Sequence, residues 1–122
     1  MSNCVCINIG ICSLPEVIDE KIRKAQKIHR CGECGRQILP KEEYEYTKGF
    51  WEGLWEVHKT CKDCLSIRDE FFCNNHIYGM VLEHLWDNVQ DLDGNVPEKC
   101  LLSLTKNARL TVCNIIDNYW EE

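Results

Sequence analysis

Two matched cysteine pairs, Cys31-x2-Cys34 and Cys61-x2-Cys64, stand 26 residues apart in a chain of 122 residues. A pair with this spacing presents both sulfurs to one ion, and four soft ligands complete the tetrahedron Zn²⁺ favours, with Zn–S bonds of ~2.3 Å. Gly32 and Gly35 flank the first pair and permit the tight backbone a metal knuckle needs. The second pair opens a helical stretch, where the positive end of the helix dipole favours ionised sulfur. Four thiolates leave no open coordination position, so one structural Zn²⁺ held by Cys31, Cys34, Cys61 and Cys64 is expected.

Other chemistries fit these residues less well. His58-x2-Cys61 offers a histidine in place of Cys64, as in a LIM-type site, but His58 ends a strand pattern and reads as a strand residue. Glu33, two residues after Cys31, echoes the proton-shuttling glutamate of zinc deaminases. Those enzymes carry proline where Thr60 stands, and Cys34 closes the position a reactive water requires. A treble-clef nuclease needs an Asp-His pair where this chain has Val57-His58, and Asn74-Asn75-His76 falls beyond the helix. No nucleophile or acid–base pair is left over, and the chain reads as non-enzymatic.

A candidate second Zn²⁺ site comes from Cys4 and Cys6, on one face of a short N-terminal strand, together with Cys73-x2-His76. Cys12 can replace one member. The alternative is that these are small buried side chains, because free cysteine packs as a hydrophobe. That is the reading for Cys100 and Cys113, which fall on apolar helical faces.

Several elements must position these ligands. Val5, Ile7, Ile9 and Ile11 alternate with Cys4, Cys6 and Cys12, the period of a strand. Ser13-Leu14-Pro15-Glu16 reads as a capping box opening a basic helix to about His29. Ile18, Ile22, Ala25 and His29 would form its apolar stripe, with Lys21, Arg23, Lys24 and Lys27 on the other faces. Residues 44–48 and 54–59 alternate as a β-hairpin with its turn at 49–53. Helices are expected from Cys61 through Phe72 and over residues 75–92, where Ile77, Val81, Leu85, Val89 and Leu92 recur. A short helix follows Pro97, and Thr105 caps a last one carrying Ala108, Val112, Ile115, Ile116 and Tyr119. The expected class is α+β: a treble-clef-like zinc finger (knuckle, hairpin, helix) packed with further helices. One domain over residues 1–122 is expected, with a strand and basic helix in 1–30, the finger in 31–74, and helices in 75–122.

Composition narrows the function. Ten cysteines, 44% hydrophobic and 28% charged residues describe a folded, metal-binding chain rather than a disordered one. No apolar run approaches the ~18 residues that span a bilayer. Met1-Ser2-Asn3-Cys4 lacks the basic and apolar regions of a signal peptide, so a reducing, cytoplasmic setting is expected, where cysteines bind metal. The net charge of −6 is uneven: +2 over residues 1–30, −2 over 31–64 and −6 over 65–122. An acidic C-terminal half suits a basic protein partner. Phe50, Trp51 and Trp55 add aromatic anchors of the kind found at interfaces. The alternative is a nucleic-acid-binding regulator using Lys21, Arg23, Lys24, Lys27, Arg30 and Trp51, with Lys48 beside them.

The stretch from Cys31 to Tyr44, then Trp51-Glu52-Gly53 and Thr60-Cys61-x2-Cys64-x2-Ile67-Arg68-Asp69-x-Phe71, resembles small proteins encoded by bacteriophages and prophages. The likeness extends to Cys4-x-Cys6 and to Cys73 with Tyr78-Gly79, covering roughly residues 3–90. The family pattern has a further cysteine near position 77, where this chain has Ile77, which leaves His76 as the substitute ligand. The resemblance implies action in a bacterial host cytoplasm. It favours a protein partner from host or phage, and an inhibitor of a host enzyme or of a defence complex, in the manner of an anti-CRISPR protein.

Overall fold

The computed structural model describes residues 17–72 and 78–121. Strands β1 (Val17–Lys24), β4 (Glu43–Trp51) and β5 (Leu54–Cys61) form an antiparallel sheet in the order β1-β4-β5. Strands β2 (His29–Arg30) and β3 (Gln37–Ile38) make a separate two-stranded ribbon. Helices α1 (Lys62–Phe71), α2 (Val81–Asp91), α3 (Lys99–Leu102) and α4 (Lys106–Glu121) follow. The class is therefore mixed α and β, and among the described residues the helices lie in the C-terminal half.

The expected basic helix is a strand instead. The 18, 22, 25, 29 spacing fits a helical stripe, yet Ile18 and Ile22 are 43% and 55% exposed, so no core waits for that stripe. What decides the conformation is the edge of β4, which pairs with all eight residues of β1, from Val17 opposite Phe50 to Lys24 opposite Glu43. Tertiary pairing of a segment rich in β-branched residues overrides a marginal helical pattern. Ala25 closes the strand: it is buried, its N–H donates to the Glu42 carbonyl at 2.8 Å, and its carbonyl accepts from Lys41 at 2.7 Å.

The hairpin is longer and its turn tighter than the sequence suggests. Glu52 (φ 48°) and Gly53 (φ 83°) both take the left-handed region, the two-residue type I′ geometry whose twist matches the strands. Strand pairing consequently continues to Trp51 and Leu54.

The core has two parts. Cys31, Ile38, Tyr44, Cys61 and Cys64 cluster with Ala25 beneath the ribbon. Ile67, Phe71, Val81, Leu85, Val89, Cys100, Ala108 and Val112 form the helical core. Helix α1 contributes to both, so the helices are anchored through it. Val81, Leu85 and Val112 are fully buried as their spacing implied, while Ile115 and Ile116 pack only partly against that core. Cys100 is fully buried, as expected of a packing residue.

Each helix joint has a local cause. Thr105 Oγ1 accepts the Ala108 N–H at 3.2 Å and donates to Asp63 Oδ1 at 2.6 Å, capping α4 and tying it to α1. After α2, Gly94 N–H donates to the Val89 carbonyl at 2.9 Å and Asp93 N–H to that of Gln90 at 3.1 Å, a Schellman ending. Helix α2 begins at Val81, preceded by a turn at 78–80, so residues 78–80 are not helical as expected. The expected strand over 5–11, the capping box at 13–16, and Ile77 lie outside the described residues. So do Cys4, Cys6, Cys12, Cys73 and His76, the candidate second site.

Candidate metal centre

The Sγ atoms of Cys31, Cys34, Cys61 and Cys64 all lie within 4.8 Å of one another. The ribbon delivers the first pair. β2 ends at Arg30, Cys31 N–H donates to the Arg36 carbonyl at 2.9 Å, and Gly35 (φ 79°) returns its N–H to Cys31 at 3.0 Å. Arg30 Nη1 reaches the Gly35 carbonyl at 2.9 Å and braces the turn from outside. The second pair sits where β5 becomes α1. Cys61 is the N-cap of α1, and its sulfur accepts the Cys64 N–H at 3.4 Å.

The donor set fits an ion. A tetrahedron of thiolate bonds near ~2.3 Å has sulfur–sulfur edges of about 3.8 Å, and Cys34 Sγ lies 3.9 Å from Cys61 Sγ. Backbone N–H groups already point at the sulfurs: Glu33 and Cys61 donate to Cys31 Sγ at 3.3 and 3.4 Å. Cys31, Cys61 and Cys64 are buried and Cys34 is exposed, which leaves one side from which an ion can enter. Donation from Cys61 and Cys64 holds the Cys31 thiol far below its usual pKa. Hydrogen bonding to Cys31 in turn pushes Cys61 up to about 11 and Cys64 higher still. Thiolates this close repel one another. A divalent ion removes that repulsion and releases the remaining protons.

A polar frame surrounds the centre, and the sequence reading missed it. Arg36 makes a bidentate pair with Glu42 at 3.0 and 3.1 Å, and its Nε lies 3.2 Å from Asp63 Oδ2. Asp63 is 5% exposed inside the second cysteine pair, and a charged residue enclosed between two ligands was the available signal. Glu33, the residue with a deaminase-like position, is engaged elsewhere. Its carboxylate accepts the N–H groups of Gly79 at 2.9 Å and Val81 at 3.1 Å, at the start of α2. Burial raises its pKa above the usual carboxylate value. His58 is not among the clustered ligands. It stacks on Tyr78 at 4.7 Å, meets the edge of Trp51 at 5.4 Å, and contacts Glu56 Oε1 at 3.1 Å.

The proposed binding residues separate. Register places Lys21 and Arg23 on one face of the sheet with Tyr44, Tyr46, Lys48, Phe50, Trp55 and Lys59. Trp51 belongs to the opposite face, in the cluster with His58 and Tyr78. On that second face Glu45 and Arg68 form a bidentate ion pair at 2.8 and 2.7 Å, which seats the sheet on α1. Lys24 and Lys27 flank a cleft beside the first face. Among the described residues, no helix is long and apolar enough to cross a membrane. No protein-family model, curated protein or solved structure matches this chain.

Proposed function

We propose that this chain is a non-catalytic, Zn²⁺-stapled module that binds a protein partner. In this reading the knuckle at Cys31 and Cys34, the β4–β5 hairpin and α1 make a treble-clef-like finger. Zinc is favoured by four clustered cysteine ligands, the set typical of its structural sites.

The observation that carries the reading is a groove of about 1070 Å³ between α2 and α4. Leu82, Trp86 and Ile115 give it an apolar floor, and Glu83, Asp87 and Glu121 rim it with negative charge. Among the described residues, no basic one lines it. An amphipathic helix with basic flanks is the complementary occupant: its apolar anchors enter the groove and its cations meet the rim. The resemblance to phage-encoded proteins makes a bacterial host enzyme or defence complex the partner class, with inhibition as the outcome.

The test is capture from a bacterial lysate by the zinc-loaded chain, run beside Glu83→Lys with Asp87→Lys. Both residues are exposed, so reversal leaves the fold intact. A partner held by the wild type, lost on reversal and inhibited when the wild-type chain is added back supports the reading. An identical captured set from both proteins would refute it.

A further inference from the structure

Away from the α2–α4 groove, one face of the sheet carries a different chemistry. The register aligns three rows on it: Arg23 with Tyr44, Lys21 with Tyr46 and Lys59, and Asp19 with Lys48 and Val57, followed by Phe50 with Trp55. Trp55 is 58% exposed and Val57 47%, so the outer part of this face is open. Two of its rings carry a cation: the Arg23 guanidinium lies over the Tyr46 ring at 3.9 Å from its centroid, and Lys48 Nζ lies 5.3 Å from that of Trp55. Phe50 and Trp55 pack as a tilted pair at 5.2 Å. Asp19 is the one carboxylate among the described strand residues of this face, and Lys21 lies 3.4 Å from it.

At the ribbon end the face opens into a cleft of about 810 Å³ whose lining includes Arg23, Lys24, Lys27, His29 and Lys59, with no acidic residue among the described ones. Arg23, Lys27 and Lys59, with no carboxylate among the described residues of the lining and in a chain whose net charge is −6, make a local anion site. Along β4, Tyr46 and Phe50 are four residues apart, about 13 Å at ~3.3 Å per residue, which is room for a run of bases.

Exposed sheet aromatics interleaved with cations suit unpaired bases stacked on rings with phosphates against lysine and arginine. A duplex hides its base faces and would use only the cations. Gln26 and Tyr46 add hydrogen-bonding groups to the lining beside these cations, of the kind that meet a ribose hydroxyl. We infer that this face binds single-stranded RNA, with Tyr46, Phe50 and Trp55 as the stacking platform and Arg23, Lys27 and Lys59 as the phosphate contacts. The assignment is independent of the protein-binding groove, because no residue is shared between them.

The test is fluorescence anisotropy of the zinc-loaded full chain with a labelled oligouridylate of about a dozen nucleotides. The matching oligothymidylate and an RNA duplex of equal length are run beside it. The oligouridylate should bind most tightly, with affinity falling as salt rises by a log–log slope of about −0.7 per neutralised phosphate. Trp55→Ala should weaken it about tenfold, within the range for one lost stack. Lys27→Gln and Lys59→Gln should each lower the slope by about 0.7. Unchanged metal content in each variant establishes that the finger is intact. Absence of binding at low salt would overturn the proposal. So would equal affinity for the thymidylate or the duplex, or an unchanged affinity in both Trp55→Ala and Tyr46→Ala.

Discussion

Replacing Arg68 by Met should destabilise the chain far more than replacing Arg68 and Glu45 together. The two side chains are each 9% exposed and meet through two short hydrogen bonds at 2.7 and 2.8 Å. Charge centres about 4 Å apart attract by about 4 kcal/mol at an effective dielectric of ~20, and desolvation offsets much of that in the folded state. Removing one partner leaves the other charge buried without compensation, at a cost of about 3–5 kcal/mol. Among the described hydrogen bonds, Glu45 would then keep that from the Thr47 hydroxyl, at 3.3 Å. The double variant Glu45→Met with Arg68→Met removes both charges, and its cost should stay within about 1 kcal/mol of zero. Urea denaturation of the zinc-loaded proteins completes the double-mutant cycle. Single-variant losses that simply add in the double variant would refute the reasoning, because the pair would then not be coupled.

Gly94→Ala should cost about 2 kcal/mol in thermal or urea unfolding: the site has φ 74°, and a Cβ would lie 2.6 Å from the Tyr119 ring and 2.9 Å from that of Trp120. Thr105→Ala should cost about 1–2 kcal/mol, because it removes the cap of α4 and the hydroxyl donor to Asp63; an unchanged midpoint would contradict this. The Arg36 guanidinium, then the Leu39 N–H, hold the Glu42 carboxyl down at about 2, against an ordinary 4.5. A depressed pKa contributes stability that is complete above 4.5 and disappears as pH falls toward 2. Thiolate protonation overlaps that window, so the readout is the stability difference between wild type and Glu42→Gln, which should shrink steadily on acidification.

The metal centre was legible because two cysteine pairs impose their own geometry whatever lies between them. The hairpin and helices α1 and α4 were legible for a related reason: alternation, a strong helix start and the Thr105 cap are local signals that agree with the packing. β1 was not, because the edge of β4 that holds it is distant in sequence and Ile18 and Ile22 mimic a helical stripe. That one difference changes the meaning of the basic residues, since Lys21 and Arg23 on a strand share a face with Tyr46 and Lys59 rather than lining a helix. Trp51 shows the limit of counting exposed-looking aromatics: strand parity sends it to the face opposite Trp55. The Arg36–Glu42–Asp63 frame joins residues whose partnership depends on the ribbon lying across the start of α1, which no spacing rule encodes.

The most direct test of the account is native mass spectrometry of freshly purified wild type, Cys34→Ser and His58→Ala, with Co²⁺ substitution to report the ligand set. Wild type and His58→Ala should hold the same number of ions and show the absorption of a tetrahedral four-thiolate site, while Cys34→Ser should carry one ion fewer or lose that spectrum. Full metal content with an unaltered spectrum in Cys34→Ser, or loss of the ion in His58→Ala, would contradict a centre built from Cys31, Cys34, Cys61 and Cys64.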